Sequence, residues 1–231
     1  MIRMFRNLSR DVLIAIRLTL ALAVLTGIVY PLAMTGIAQG VFNSQANGSL
    51  LTGRNGQVYG SSLIGQCFYA TTKDRSGNTV YATTKDDQGN TIFVADTRYF
   101  QSRPSFTVDA GGNPLPCNAA SSTGSNLGPG NAALVSRVKG YTDYLRSLGV
   151  AVGQPMPVDL VTGDFTGFDP DISEAAALVQ VSMVAKARHL DADKVRTLVE
   201  NHVDGRILGI FGEPHVNVLA LNRALDDGAA A

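Results

Sequence analysis

From Leu18 to Ala38 no side chain can ionise except the Tyr30 phenol. As a helix this run rises roughly 31 Å, enough to cross the hydrocarbon core of a bilayer. The pattern predicts a membrane-spanning helix over residues 18–40, with a short basic segment, 1–17, ahead of it. Pro31 interrupts one helical hydrogen bond, which spanning helices tolerate where hydroxyls such as that of Thr35 re-satisfy the backbone. Small residues at Gly27, Ala33 and Gly36 allow another helix to approach closely, and Tyr30, Pro31 and Gly36 are the candidate packing positions. A lone, lipid-facing anchor is the alternative.

Beyond residue 40 the grammar changes twice. Leu50 to Asn131 is rich in Gly, Ser, Thr and Asn and reads as strands and loops. It contains a tandem repeat, Tyr69 to Val80 and Tyr81 to Ile92, each unit joining a β-prone segment to a polar Gly-Asn turn. These units predict a duplicated hairpin insertion at about 69–96, exposed and of low functional weight. From Asn131 the spacing is helical: Leu134, Val138, Tyr141, Leu145 and Leu148 form one stripe, closed by Gly149. A second helix opens after Ser173, with Ala176, Val179, Gln180, Met183 and Ala187 on one side. A third is capped by Asp191, stapled by Leu190 and Val195, and ends near Gly205. The last starts at Pro214 and runs through Val218, Leu221 and Leu225 to Gly228. The expected class is α+β: an N-terminal transmembrane helix, then a mixed α/β extracytoplasmic domain over 41–231.

Charge gives the orientation. Arg3, Arg6, Arg10 and Arg17 precede the apolar run against Asp11 alone, and the first charge after it is Arg54. The positive-inside rule places residues 1–17 in the cytoplasm and everything after about residue 40 outside the membrane. A cleaved signal peptide shares the basic start, but its apolar region would be shorter and followed by a small-x-small site. The 19 basic and 19 acidic residues balance, which argues against a nucleic-acid partner. Cys67 and Cys117 fall on the outside, where they can pair, or remain two buried thiols.

Candidate chemistry is sparse. There is no phosphate-binding G-x-x-x-x-G-K-[ST] loop and no Asp-Lys-Thr-Gly motif, so the chain itself should not hydrolyse ATP. His189, His202 and His215 lie in separate segments and predict no metal site. Ser136 and Lys139 match the S-x-x-K of anchored acyl-transfer enzymes, the alternative function, but lie off the helical stripe and lack a K-T-G. Asp169/Asp171 and Asp191/Asp193 read as helix-start charges.

Ordered blocks along the chain are more specific: Tyr30-Pro31 with Thr35-Gly36; Gln45-Ala46-Asn47-Gly48-Ser49-Leu50; Gly60 to Gln66; Tyr99-Phe100 with Arg103-Pro104-Ser105; Gly124 to Pro129; Pro157 to Thr162; Gln180 with Val184-Ala185-Lys186-Ala187-Arg188; and Gly212-Glu213-Pro214 with Leu221-Asn222. With these blocks the chain resembles the C subunit of the Kdp-type potassium-transporting ATPase, the KdpC family, over almost its whole length. The repeat looks inserted relative to that family, Asp171 replaces a common His or Asn, and Met183 replaces a common Arg.

The resemblance implies a non-catalytic accessory subunit in a complex with a channel-like potassium-translocating subunit, a P-type ATPase subunit and a small membrane subunit. Potassium is then the transported ion, and no cofactor is expected on this chain. A catalytic-chaperone proposal for the family, in which a glutamine raises ATP affinity, maps onto Gln180, which the charge rule puts across the bilayer from ATP. The alternative is that Gln180 hydrogen-bonds within its own domain or to a partner. Loops at Arg103, Pro104 and Ser105 and at Ser125, Asn126, Leu127, Gly128 and Pro129 are the candidate partner contacts.

Overall fold

The computed structural model describes residues 2–53 and 56–229. The side chains of Arg3 and Arg6, and the whole of Arg54, lie outside the described part, so the charge asymmetry around the apolar run rests on sequence. The chain divides into two units, Met1–Leu50 and Leu51–Ala231.

In the first unit, helix α1 (Ile2–Val24) passes through a π-helical turn, Leu25–Val29, into α2 (Tyr30–Val41), followed by the short α3 (Asn43–Ala46). The helix thus begins well before residue 18. The π turn precedes Pro31 because proline has no N–H and its ring crowds the carbonyl four residues back, and one wider turn relieves that conflict. Tyr30 N–H accordingly donates to the Leu25 carbonyl, five residues back. The Thr26 hydroxyl, not that of Thr35, makes the recorded side-chain bond to this backbone, reaching the Leu22 carbonyl at 2.7 Å. Arg10–Val41 is long and apolar enough to cross a membrane. Its large apolar side chains, Leu18, Leu20 and Leu32 among them, are all exposed in the isolated chain.

Strand β1 (Leu50–Thr52), which starts at the last residue of the first unit, pairs with β2 (Val58–Ser61) of the second. The repeat then forms two antiparallel hairpins, β3 (Thr71–Lys73) with β4 (Thr79–Tyr81) and β5 (Thr83–Lys85) with β6 (Thr91–Phe93). An aspartate closes each turn: Asp74 Oδ1 accepts from Ser76 and Asn78 N–H, and Asp86 Oδ1 from Gln88 and Asn90 N–H. Gly77 and Gly89 supply the required positive φ, +82° and +80°. Asp109, Gly112 and Asn113 build a third turn with the same wiring.

The first hairpin is exposed, but the second is not an idle appendage. Ile92 is buried, Asn90 Nδ2 donates to Ser136 Oγ at 3.2 Å, and the Asp86 carboxylate occupies the space where Gly140 lacks a Cβ. Ala95 N–H donates to the Tyr144 hydroxyl at 2.8 Å. These contacts dock the second hairpin on α4 (Ala132–Ser147), whose N-terminus is capped by Asn131 through Ala133 N–H.

After a 3-10 turn at Val158–Leu160 come β7 (Asp171–Ser173), α5 (Glu174–Leu178), α6 (Val181–Arg188), α7 (Ala192–Glu200), β8 (Val203–Asp204), β9 (His215–Asn217) and α8 (Val218–Ala229). The strands form an antiparallel sheet in the order β7-β9-β8, with Ile172 opposite Val216 and Val203 opposite Val216. The core joins Phe100, Leu145, Leu160, Ile172, Val184, Val199, Val216 and Leu221.

Three helical expectations change. The helix starting at Ser173 breaks at Val179–Gln180: Gln180 N–H turns to the Ala177 carbonyl at 3.1 Å, and its side-chain Nε2 takes the Ala176 carbonyl at 3.0 Å. Of the expected stripe Ala176, Gln180 and Met183 are buried and Val179 and Ala187 only partly so, while Ala177, Val181, Val184 and Ala185 join the buried face. α7 stops at Glu200 and the chain re-enters the sheet as β8, short of Gly205. Residues following Pro214 form β9, and the last helix starts at Val218, where Asn217 Oδ1 accepts from Ala220 N–H at 3.0 Å. Asp171, expected at a helix start, lies in β7, where burial pushes its carboxyl up from the usual range.

Cys67 and Cys117 form a disulfide, with Cα atoms 5.7 Å apart and a sequence separation of 50. Closing a loop of this length removes chain entropy from the unfolded state worth about 4 kcal/mol. Replacing both cysteines with serine should lower stability by about 2–4 kcal/mol, read as the shift in thermal unfolding of the full chain in detergent. An unchanged melting point would show that the loop is already ordered without the bond.

Candidate functional site

Phe100 and Gln101, both buried, lie outside any strand, yet their backbone is paired. Two buried amides do the pairing. Phe100 N–H donates to Asn222 Oδ1, and Asn222 Nδ2 returns a bond to the Phe100 carbonyl, both at 2.9 Å. One residue on, Gln101 N–H donates to Gln180 Oε1 at 2.7 Å, and Gln180 Nε2 reaches the Gln101 carbonyl at 3.1 Å. Side chains from α8 and from the α5–α6 break thus replace a missing strand, as buried backbone polar groups demand. Gln180 is 1% exposed, and with its third bond to Ala176 both amide hydrogens are used.

The clamp is extended by Arg188, whose guanidinium lies 4.6 Å from the Tyr99 ring centroid, pairs with Asp226 at 2.6 Å and donates to the Arg98 carbonyl. Each of these side chains serves one end: fixing where the segment 99–105 runs. Arg103 continues it, facing Asp169 at 3.6 Å and the Gly163 carbonyl at 3.4 Å. The Ser105 hydroxyl is buried, donates to the Gly167 carbonyl and accepts from Cys117 N–H at 2.8 Å. Gly65 closes the other side, because a Cβ there would lie 2.4 Å from the Asp169 carbonyl oxygen.

A cleft of about 490 Å³ opens beside this segment, bounded by the second hairpin, Pro104 to Val108, Ser125, Arg137 and Tyr141. Arg137 lies 5.2 Å from the Phe106 ring centroid. Burial pushes the phenols of Tyr69 and Tyr141 up, so both stay protonated. The structure therefore brings Pro104, Ser105 and Ser125 to one cleft, leaves Asn126, Gly128 and Pro129 exposed beside it, and places Gln180 in the clamp. Tyr30, Pro31 and Gly36 lie in the helical unit, where a Cβ on Gly36 would meet nothing within 4 Å. Ser136 takes the bond from Asn90 while Lys139 faces Asp143 at 3.6 Å, so they serve different partners.

The sequence pattern of the family described as "K+-transporting ATPase, c chain" matches residues 12–227, spanning both the apolar helix and the clamp. The chain belongs to the KdpC family. Named potassium-transporting ATPase KdpC subunits include that of Methylobacterium nodulans, 49% identical over 91% of this chain and 93% of its own. Those of Rhodopseudomonas palustris and Paraburkholderia phytofirmans are 46% and 42% identical, over 92% and 96% of this chain and 95% and 97% of theirs. Family membership ties together blocks that sequence left without roles. Tyr99-Phe100, Gln180, Arg188 and Asn222 are the members of one clamp. Asp159 joins them at a distance, accepting from Ser173 N–H at 2.7 Å to seat β7. Nothing in the sequence marked Gln101, and Asn222 stood out only within a family block; the signal that marks a clamp is the pairing of Gln101 with Gln180 and of Phe100 with Asn222 across the fold.

Proposed function

We propose that this KdpC family member is a non-catalytic accessory subunit of an ATP-driven potassium importer in the bacterial plasma membrane. Residues 1–17 are cytoplasmic, 18–40 span the bilayer and 41–231 form the extracytoplasmic domain. Its partners are a channel-like potassium-translocating subunit, a P-type ATPase subunit and a small membrane subunit, and potassium is the ion moved by the complex. The domain steadies the outer mouth of the channel-like subunit through the loops at 103–105 and 125–129, with the second hairpin completing that face.

The observation that carries this reading is the joining of an apolar helix with exposed large side chains to a domain whose buried amides, Gln180 and Asn222, are spent on the chain's own backbone. Gln180 is inferred to hold segment 99–105 in place rather than to meet nucleotide, since its donors are used and the arginine asymmetry puts it opposite the ATP side. A disulfide between Cys67 and Cys117 favours the oxidising side as well.

The helix supplies the test. Because the space over Gly36 is open within this chain, Gly36→Leu should leave the subunit itself stable and membrane-inserted, yet reduce its recovery with the channel-like and ATPase subunits several-fold. Affinity purification through a tag on the ATPase subunit reads this directly. Wild-type chain absent from the purified complex would defeat the subunit reading, and equal recovery of Gly36→Leu would defeat helix packing at that face.

A further inference from the structure

Between β8 and β9 the chain makes a tight turn that carries four large apolar side chains into solvent. Ile207, Leu208, Ile210 and Phe211 are 70%, 84%, 73% and 63% exposed. The turn is well braced: Ile207 and Phe211 exchange backbone hydrogen bonds at 2.9 and 3.0 Å, and Arg206 pairs with Glu213 at 2.6 Å across its base. Leu208 holds φ at +54°, a conformation a branched residue adopts only when its surroundings impose it. A braced apolar tip this exposed is the mark of a surface that something covers.

We propose that this tip is a docking knob that inserts into an apolar pocket rimmed by basic side chains on another subunit of the same complex. The proposal rests on the reading of the chain as a subunit. Charge selects the occupant. Arg206 is neutralised by Glu213, while Asp204, opposite His215 in the β8–β9 ladder, makes no ion pair among the described residues. Loops that dock on anionic lipid carry Lys or Arg around the apolar tip, so a net acidic rim opposes a bilayer and favours a cationic protein surface. Four side chains are also too few to make a whole stable interface, which takes about 800 Å² per partner, but suffice for its desolvated centre. The rest of the contact then comes from elsewhere on the domain and from the helix.

The test uses the full chain expressed with its complex and purified through a tag on the ATPase subunit. The double variant Leu208→Ser, Ile210→Ser should lower recovery of this chain about tenfold, and Leu208→Met, Ile210→Leu should restore it. A retained Cys67–Cys117 disulfide on a non-reducing gel separates lost docking from lost folding. Asp204→Asn should lower recovery at low salt and remove the salt sensitivity of the wild type. Wild-type recovery of the serine variant with the complex overturns the knob, and leaves the subunit reading standing; absence of wild-type chain from the complex overturns both. A full chain carrying Leu208→Cys, labelled with an environment-sensitive dye and reconstituted alone in phosphatidylglycerol–phosphatidylethanolamine vesicles, should show no blue shift. A blue shift would assign the tip to lipid and overturn the proposal.

Discussion

Replacing Gln180 with leucine should lower the unfolding temperature of the protein by about 10 °C. The side chain satisfies Gln101 N–H, the Gln101 carbonyl and the Ala176 carbonyl, all in a region closed to water. Each buried group left without a partner costs about 1–3 kcal/mol, and leucine strands all of them at once. A loss of about 3–5 kcal/mol in a domain of this size shifts the melting point by about 2–4 °C per kcal/mol. Asn222→Leu should behave the same way, because it strands the N–H and carbonyl of Phe100. Gln180→Glu keeps an acceptor for Gln101 N–H but loses the two donated bonds, so it should also destabilise. Thermal unfolding of the full chain in detergent measures all three. The prediction also separates the two roles for Gln180. Complex that survives in the Gln180→Leu protein should keep its KM for ATP, whereas a raised KM with an unchanged melting point would put Gln180 on the nucleotide.

What could be read from sequence was what is local. Ser173 and Asp191 were legible as caps because a cap and its helix are neighbours, and the side chains do accept from Ala176 and Asp193 N–H. The break at Gln180 was not, because its cause is Gln101, 79 residues away. Residues 215–217 were assigned to a helix because Pro214 suits a first helical position. Their pairing with β7 and β8 lies 40 or more residues off for one and around an apolar turn for the other, and tertiary pairing overrode the local signal. The family blocks carried the same limitation: they pointed to Tyr99, Gln180 and Asn222 without showing that these residues share one task. Leu208 and Ile210 read as ordinary apolar residues, since periodicity does not say which side chains a turn will strand in solvent.

Deleting one unit of the tandem repeat, Tyr69 to Val80, should leave stability within about 1 kcal/mol and potassium uptake intact. The reason is register. Thr83 lies opposite Phe93, and continuing that ladder back through Ala82 and Val94 brings Tyr81 opposite Ala95, the position Tyr69 holds in the present structure. Val94 N–H already donates to the Ala82 carbonyl at 2.9 Å, while Ala70 N–H donates to Val94 and Ala82 N–H to Ala70, both at 2.8 Å. The first hairpin is therefore spliced into the ladder of the second, and its removal lets Ala82 N–H close directly on Val94. Removing both units, Tyr69 to Ile92, is a different operation. It takes away buried Ile92, the Asn90–Ser136 bond and the Asp86 carboxylate that fills the space beside Gly140, and it uncovers Tyr141. Burial of Ile92 alone is worth about 2–3 kcal/mol, so this deletion should destabilise the domain and reduce uptake together. Thermal unfolding and growth of an uptake-deficient strain on limiting potassium measure the pair. Equal behaviour of the two deletions would show that the second hairpin does not hold α4, whereas loss of uptake in the single deletion at unchanged stability would give the exposed hairpin a contact of its own.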